Sequence, residues 1–414
     1  MKVYLQTFGC RANQYDSEAA RTMIEAGGVE IVAAAEDADV AIFNSCAVTH
    51  EAVVDLRKSV RRTSRRRAGL RSVVMGCAAA VDRGDLATLP SVTHVIPGTD
   101  LPALATALSL DPRSAGAIRG EQRGTRALLR VQDGCDEHCT FCATTVARGA
   151  NRSRKESDLV GEARRLGERH PEIVLTGIHI GTYGRDIGES LGRLVDVLIR
   201  SVPNVRFRLS SVEATEVDDR LASLFSDSAR LAPHLHAPLQ SGADQVLRRM
   251  GRHWYTADTY ASAVRRLVSS QSAFALGADV IAGFPGETEE DHRLTMDLID
   301  SLPFTYLHVF PFSCRPGTPA ERLNDQIDPP TVARRARELR ELGARKAAAY
   351  ATSRHGTRAD VVVLKGDGEG LTEDNLVVRL DGPALPRGTR VAADLFERDG
   401  RLLARPLPLP SSRP

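Results

Sequence analysis

The sequence predicts an α/β protein in three parts: an N-terminal open α/β sheet, a central partial (β/α)6 barrel and a small C-terminal all-β barrel. Three observations lead to this prediction. Strand-like and helix-like segments alternate over residues 1–110, and six strands separated by helical segments follow over residues 126–350. Near the carboxyl end, short strands between Gly and Asp turns replace this alternation. Alternation is typical of parallel sheets, and short strands between turns are typical of small barrels.

The first part is assigned to residues 1–112. Its predicted strands are 3–8, 40–44, 72–75 and 92–96, and its main helices are 17–26 and 49–67. In an open parallel sheet the carboxyl ends of the strands lie along one edge, where ligands bind. Residues 109–125 are rich in Gly, Pro and Arg, which is typical of a linker.

The central part is assigned to residues 121–350, with strands at 128–132, 173–176, 205–209, 234–237, 276–281 and 306–310. Six units are fewer than the eight of a closed barrel, so one side stays open for a large substrate. After a charged helix at 331–354, the third part (352–410) has strands at 360–364, 375–380, 389–393 and 401–404. Their size and spacing indicate an OB-like barrel, and the Pro-rich tail 406–414 is expected to be disordered.

Composition describes an ordinary globular protein of 414 residues, 42% hydrophobic and 26% charged, whose net charge of +2 indicates no partner. The first residues lack the apolar core of a signal peptide, and no apolar run reaches the length of a membrane span. We therefore expect a cytoplasmic protein without a membrane partner. Thiols stay reduced there, so clustered cysteines indicate metal binding or catalysis rather than disulfides.

Cys135, Cys139 and Cys142 form a C-x3-C-x2-C pattern without a fourth cysteine. Three thiolates on one loop can hold three irons of a [4Fe–4S] cluster and leave the fourth iron open. An open iron can bind S-adenosylmethionine (SAM), which the reduced cluster splits to a 5′-deoxyadenosyl radical. The alternative is a structural zinc loop. Structural zinc usually binds four ligands, often from two C-x2-C pairs. The sequence has no second pair, so the iron–sulfur cluster is favoured over zinc.

Three further cysteines, Cys10, Cys46 and Cys77, each follow a predicted strand of the first part. Strand ends meet at one sheet edge, so these thiols can converge and hold a second cluster with its own open iron. The alternative is three buried structural cysteines, and spacing alone does not decide between the two. Cys314 has no evident partner in the sequence.

Other candidate residues lie in the cluster loop or at the carboxyl ends of barrel strands, which is the active-site face of such barrels. Glu213 and Gln240 can hydrogen-bond sugar hydroxyls or the methionine amine of SAM. The full predicted set of SAM contacts is Phe141, Gly177, Ser211, Glu213, Gln240, Gly283 and Phe284. Gly and Ser also end strands for purely local reasons, so each residue taken singly is weak evidence.

A run of basic residues without an acid marks the helix at 49–67, and Val53, Leu56 and Val60 on it are expected to face the core. A run of cations without anions suits a phosphate backbone and predicts nucleic-acid binding, whereas a merely solvated helix face usually has mixed charge. The predicted nucleic-acid contacts are Arg57, Lys58, Arg61, Arg62, Arg65, Arg66 and Arg67.

Taken together, these features resemble the methylthiotransferases, a radical-SAM family with a cysteine-bearing N-terminal domain and a C-terminal TRAM domain. The resemblance covers nearly the whole chain. It is carried by residues 7–16, 44–49, 76–77, 132–142, 147–149, 236–242, 279–287, 315–318 and 370–375. Residues 9–15 and 175–181 look most like the branch that acts on threonylcarbamoyladenosine in tRNA.

The resemblance implies two [4Fe–4S] clusters, SAM, and a reaction that places a methylthio group on C2 of the adenine next to the anticodon, at tRNA position 37. It implies tRNA, a sulfur donor and a reducing electron donor such as flavodoxin or ferredoxin as partners. Arg148, Arg152 and Arg154 follow the cluster loop and are candidates for the substrate carboxylate or for phosphate. The alternatives are a methylthiotransferase for isopentenyladenosine tRNA or for a ribosomal protein, and a non-catalytic iron–sulfur RNA-binding protein.

Overall fold

The computed structural model describes residues 1–47, 50–114, 122–269, 271, 273–315 and 317–408, without the side chains of residues 50, 51 and 114. Parts of the predicted linker (115–121) and of the predicted disordered tail (409–414) lie outside the described residues. Within the described ranges, no helix has the length and apolar character needed to cross a membrane.

The N-terminal sheet is parallel, with strand order β2-β1-β3-β4-β5. Its elements are β1 (Lys2–Thr7), α1 (Arg11–Ala26), β2 (Glu30–Val32), β3 (Val40–Ser45), α2 (His50–Arg66), β4 (Arg71–Gly76), α3 (Cys77–Ala80), β5 (Val92–Pro97) and α4 (Leu101–Ala107). Apolar clusters cover both faces of the sheet, and the central strand β3 is buried throughout. The predicted strands are therefore confirmed.

Helix α1 begins six residues before its predicted start. Its first two turns bury the polar side chains of Asn13 and Asp16, and apolar periodicity does not detect a face of that kind. The edge strand β2 was not predicted, because three half-exposed residues give too short a pattern.

The central barrel contains all six predicted strands. Its elements are β6 (Ala127–Arg130), β7 (Gln132–Asp133), α5 (Thr144–Arg148), β8 (Arg152–Ser153), α6 (Glu156–Gly167), β9 (Glu172–Thr176), α7 (Leu191–Ser201), β10 (Arg206–Leu209), α8 (Asp219–Asp227), β11 (His234–His236), α9 (Asp244–Arg249), α10 (Ala257–Val268), β12 (Ala275–Ala282), α11 (Glu289–Ser301), β13 (Tyr306–Pro311) and α12 (Pro329–Ser353). Strands β6-β9-β10 and β11-β12-β13 form two parallel sheets, which a bridge between Ser211 and His236 connects.

The open side of this barrel is occupied by α1 of the N-terminal sheet. Tyr15 and Ala19 of α1 pack against Leu128 and Val174, which face the barrel interior. The N-terminal sheet therefore lies against the inside of the barrel, and its strand ends reach the barrel mouth.

The C-terminal part is a closed barrel in the order β14-β15-β16-β18-β17, as predicted. Its strands are β14 (Arg358–Val363), β15 (Glu369–Leu371), β16 (Val377–Leu380), β17 (Arg390–Arg398) and β18 (Arg401–Pro406). The three-residue β15 was not predicted, because it has too few residues to show alternation.

A buried charge network fixes the C-terminal barrel to the central one. Glu172 at the start of β9 is fully buried and accepts from Arg206 Nε at 2.6 Å, Arg208 Nε at 2.9 Å and Arg126 Nη1 at 3.2 Å. These cations hold the pKa of Glu172 well below its usual value, against the opposing effect of burial. Arg208 Nη2 also donates to the carbonyl of Thr372 at 3.0 Å in the C-terminal barrel.

We expect Glu172→Ala to lower the free energy of unfolding by about 3–5 kcal/mol, because it leaves buried cations without their carboxylate. Among the described residues, Glu172 is the carboxylate with which Arg208 forms its ion pair. Urea unfolding followed by circular dichroism measures the change. Glu290→Ala, which removes an exposed carboxylate paired with Arg293, is the control and should change stability by less than about 1 kcal/mol. Equal effects of the two substitutions would contradict the assigned role of Glu172.

Candidate active site

The three central cysteines lie on the loop between β7 and α5, at the mouth of the barrel. The backbone N–H of Cys142 donates to the carbonyl of Cys139 at 3.1 Å, and the N–H of Cys135 donates to Gly149 at 3.0 Å. All three thiols line one cavity of about 210 Å³. The predicted convergence of this loop on a single site is therefore seen in the structure.

The side chain of Gln132 stabilises this loop through hydrogen bonds to backbone groups. Its amide donates to the carbonyl of Gly134 at 2.6 Å, and its oxygen accepts from the backbone N–H groups of Ile178 and His179 at 3.0 and 2.9 Å. Gly177 permits this close approach, because a Cβ there would lie 2.6 Å from the carbonyl oxygen of Gln132. The loop and the end of β9 are thereby held as one unit.

A buried ion pair forms one wall of the cavity. Arg252, with 5% of its side chain exposed, donates to the carboxylate of Glu213, which also accepts from the indole of Trp254. Arg252 Nη1 points to the sulfur of Cys139 at 3.5 Å. Burial raises the pKa of the Cys139 thiol to about 12, and the Arg252 cation opposes that shift.

His179 lies beside Cys135 on another wall. Its Nδ1 is 3.6 Å from the sulfur of Cys135, and its Nε2 is 2.9 Å from a carboxylate oxygen of Glu216. Burial lowers the pKa of His179, but these two hydrogen bonds outweigh it and raise the pKa to about 10. His179 therefore presents a cationic N–H group to the cysteine loop.

The predicted SAM contacts divide into two sets. Those that line the cavity are Phe141, Ser211, Glu213 and Gln240. Gly177, Gly283 and Phe284 are not among its lining residues. Phe284 is fully buried, with its ring 6.4 Å from that of Phe141, and the N–H of Gly283 donates to Glu287 at 2.6 Å.

Sequence reasoning did not identify Gln132, His179, Arg252 or Trp254 as site residues. The first two lie within segments that carry the family resemblance, which was the available signal. Arg252 comes more than 100 residues after Cys139, and no local pattern indicates their contact.

The second cysteine set also converges. Cys10, Cys46 and Cys77 follow the adjacent strands β1, β3 and β4. Gly9, at a φ of +105°, brings the chain so close to Cys46 that an added Cβ would lie 2.2 Å from the Cβ of Cys46. A hydrogen bond with Cys46 lowers the pKa of the Cys10 thiol to about 6, although burial opposes the shift.

Arg148 connects the two cysteine sets. It ends α5, just beyond the central cysteine loop, yet its Nε donates to the sulfur of Cys77 at 3.2 Å and its Nη2 to Asp16 at 2.6 Å. Its side chain is 1% exposed. The two sets are thus held at one junction between the N-terminal sheet and the barrel mouth.

These contacts revise the prediction that three arginines after the loop contact the substrate. Arg148 forms an ion pair with Asp16 and a hydrogen bond to Cys77, and Arg154 forms an ion pair with Glu162 at 2.8 Å. Arg152 remains 61% exposed.

The donor sets fit iron–sulfur clusters better than single zinc ions. A tetrahedral zinc with Zn–S bonds of about 2.3 Å needs sulfurs ~3.8 Å apart. Within the described part of the chain, neither cysteine set brings its three sulfurs within 4.8 Å of one another. Each set instead has an arginine N–H directed at one sulfur, from Arg252 to Cys139 and from Arg148 to Cys77. Hydrogen bonds to sulfur of this kind tune the potential of a cluster.

The basic run lies on α2, whose Leu56 and Val60 are buried in the core as predicted. Four of its seven cations form ion pairs: Arg57 with Asp85, Lys58 with Asp55, Arg66 with Glu36 and Arg67 with Asp39. For Arg61, Arg62 and Arg65 no carboxylate partner is found among the described residues, and all three are exposed.

Two family models match the chain. Uncharacterized protein family UPF0004 matches residues 2–98, and the Radical SAM superfamily matches residues 129–299. The first match contains Cys10, Cys46 and Cys77, and the second contains Cys135, Cys139 and Cys142.

Curated relatives of two kinds cover most of the chain. The threonylcarbamoyladenosine tRNA methylthiotransferases MtaB of Thermotoga maritima and Bacillus subtilis are each 34% identical to it. The alignments cover 78% and 84% of this chain and 78% and 82% of those proteins. A tRNA-2-methylthio-N(6)-dimethylallyladenosine synthase of Parafrankia sp. is 31% identical, over 96% of this chain and 82% of that protein.

Among solved structures, the radical S-adenosylmethionine methyltransferase TsrM of Kitasatospora setae superimposes with a TM-score of 0.59. The match covers 77% of this chain and 74% of that one at 16% identity. Likeness at this identity shows a shared fold.

Proposed function

Since the chain belongs to the family of tRNA methylthiotransferases, we propose that it converts N6-threonylcarbamoyladenosine at tRNA position 37 to its 2-methylthio derivative. The observation that carries this proposal is the convergence of two three-cysteine sets at one junction, where Arg148 contacts the second set directly from the end of the first loop. A reaction that needs both a radical and a sulfur donor requires two such sites side by side.

The residues present allow a division of roles. Cys135, Cys139 and Cys142 would hold one [4Fe–4S] cluster, and Cys10, Cys46 and Cys77 would hold the other. When bound, these clusters and SAM supply the adenosyl radical and the methylated sulfur. Ser211, Glu213 and Gln240 line the cavity beside the first set, where they are placed to bind the polar groups of SAM.

The choice between the two kinds of relative rests on the barrel interior, because both kinds match at similar identity. That interior is polar: Asp279 accepts from His236 at 3.0 Å and from His308 at 3.3 Å, and the phenol of Tyr306 contacts His234 at 2.8 Å. A threonylcarbamoyl group has hydroxyl, amide and carboxylate groups that can hydrogen-bond to such a polar lining. A dimethylallyl group is apolar and has no hydrogen bond to offer it.

The proposed activity is tested with anaerobically reconstituted protein, SAM, sulfide and a reductant. One tRNA carries threonylcarbamoyladenosine and another carries dimethylallyladenosine, and the nucleosides are analysed by mass spectrometry. We expect a 2-methylthio product from the first tRNA only. Product from the second alone would assign the chain to the other branch, and 5′-deoxyadenosine without product from either would reject both.

We further propose that the protein works in the cytoplasm, where reduced thiols can hold clusters. Its partners there would be a low-potential electron donor such as flavodoxin or ferredoxin, and a separate sulfur donor. Tests that omit each component in turn from the assay would identify which are required.

We propose that α2 contacts the tRNA backbone through Arg61, Arg62 and Arg65, its cations for which the described residues provide no carboxylate partner. Replacing these three by alanine should weaken tRNA binding and reduce the slope of log affinity against log salt by roughly two to three, since each lost phosphate contact removes about 0.7–0.9. Filter binding over a range of salt concentrations measures both quantities.

The charge-matched control replaces Arg57, Arg66 and Arg67, whose charges are already offset by acidic partners. It should change the slope less. If both triple variants reduce affinity and slope equally, overall charge accounts for binding and the assigned contacts are wrong.

A further inference from the structure

Arg11 is the first residue of α1 and follows Cys10 directly. It lines a cavity of about 360 Å³ between α1 and the inner face of the barrel. Leu128 and Val174 form the apolar part of this cavity, and Gln14 and Thr125 contribute polar side chains. The lining of the cavity thus includes the residue next to Cys10, together with Arg126 at the start of the central barrel, and none of the three N-terminal cysteines lines it.

The charge of Arg11 is not balanced locally. No hydrogen bond or ion pair joins its guanidinium to any residue in the described ranges. The other charged groups lining the cavity are paired: Arg126 with Glu172 at 3.2 Å, and Glu18 with Arg21 at 2.8 Å. A half-buried guanidinium that no carboxylate offsets is available to bind an anion.

Two buried groups in the same interior are also left without a partner. Arg208 Nη1 and His234 Nδ1 have no hydrogen-bond partner among the residues that the structure describes, and these two residues are 0% and 1% exposed. Both lie within electrostatic range of Arg11. Arg208 therefore keeps one buried N–H group in this interior without an acceptor among the described residues.

Building on the proposed function, we propose that Arg11 is the residue that determines specificity for the threonylcarbamoyl group, by binding its carboxylate. In adenine, N1 separates C2 from C6, the atom that carries N6, so the substituents of C2 and C6 leave the ring in different directions. When C2 faces the sulfur site at Cys10, Cys46 and Cys77, the N6 substituent extends away from it along the cavity. A guanidinium matches a carboxylate with two parallel hydrogen bonds, and a dimethylallyl group offers nothing to it.

The first test changes the ligand and leaves the protein intact. The reconstituted wild-type protein is titrated with two anticodon stem-loops, one carrying threonylcarbamoyladenosine and the other its carboxyl methyl ester. We expect the free acid to bind about 10- to 100-fold more tightly, as for a charge-assisted hydrogen bond to a buried partner. Equal affinities would overturn the proposal.

The second test changes the protein. Arg11→Gln should weaken binding of the tRNA that carries the threonylcarbamoyl group by about 10- to 100-fold. Binding of the same tRNA with unmodified adenosine should stay unchanged. Arg293→Gln, which removes one exposed charge on α11, is the control and should preserve the preference. If Arg11→Gln weakens both tRNAs equally, Arg11 contacts RNA phosphate and the proposal is wrong.

Iron content and 5′-deoxyadenosine formation of Arg11→Gln are measured alongside, because Arg11 adjoins Cys10. Both should match the wild type. The proposed function has its own readout, the wild-type transfer assay. If wild type modifies the threonylcarbamoyl tRNA and the methyl ester binds as well as the acid, the inference alone fails.

Discussion

Replacing Cys139 by alanine is expected to abolish formation of 5′-deoxyadenosine from SAM, and methylthio transfer with it. Cys139 lies in the cavity lined by Cys135, Glu213 and Gln240. Loss of one of three thiolates removes an iron ligand that no neighbouring cysteine of this loop can replace. Reduced, reconstituted protein is incubated with SAM, and the nucleoside products are separated by chromatography.

Cys314→Ala is the matched control. Cys314 is exposed and belongs to neither cysteine set, so cleavage of SAM should continue at the wild-type rate. Normal cleavage by the Cys139→Ala protein would show that the central cysteines do not hold the SAM-cleaving cluster.

Replacing Cys46 by alanine should remove only one of the two activities. Transfer of the methylthio group is lost, and SAM cleavage continues. Cys46 is buried at the edge of the N-terminal sheet, next to Gly9, and it is not among the residues that line the cavity of Glu213 and Gln240. The two cysteine sets should therefore act as separate sites with separate chemistry.

Iron analysis gives a readout that does not depend on turnover. The wild type should carry about eight irons, and a variant with alanine at Cys10, Cys46 and Cys77 about four. A wild-type content near four irons per chain would contradict the presence of the N-terminal cluster. Complete loss of SAM cleavage in Cys46→Ala, with its remaining four irons in place, would contradict the division of labour.

Most of the fold could be predicted because each strand or helix shows its pattern of residues within its own short segment of sequence. The six barrel strands are short extended segments, and each is followed by one or more helices before the next strand. The convergence of Cys10, Cys46 and Cys77 could also be predicted, because it needs only a parallel sheet with β1, β3 and β4 as neighbours. Topology alone then brings the strand ends together.

The support around the cysteines could not be predicted, because it depends on contacts distant in sequence. Arg252 reaches Cys139 across 113 residues, and Arg148 reaches Cys77 across 71. Before the structure is known, an arginine on a helix or after a loop gives no sign of such a partner. For the same reason, the sequence does not show that Arg148 and Arg154, which follow the cluster loop, are paired with Asp16 and Glu162.

The predicted SAM contacts show where a motif misleads. Gly283 and Phe284 follow β12 at the carboxyl end, where barrel ligands bind, but Phe284 turns inward and packs against Phe312 with ring centroids 5.2 Å apart. Position at a strand end locates a residue near the site. Side-chain direction, which the sequence does not give, decides whether it lines the cavity.

The most direct test of the central claim is to delete the gene and measure the modified nucleosides of total tRNA by mass spectrometry. The 2-methylthio-threonylcarbamoyl nucleoside should disappear and its threonylcarbamoyl precursor should accumulate. Complementation with the wild-type gene should restore the product, and complementation with Cys46→Ala should not. Persistence of that nucleoside, with loss of the methylthio group from the isopentenyl nucleoside instead, would contradict the proposed substrate.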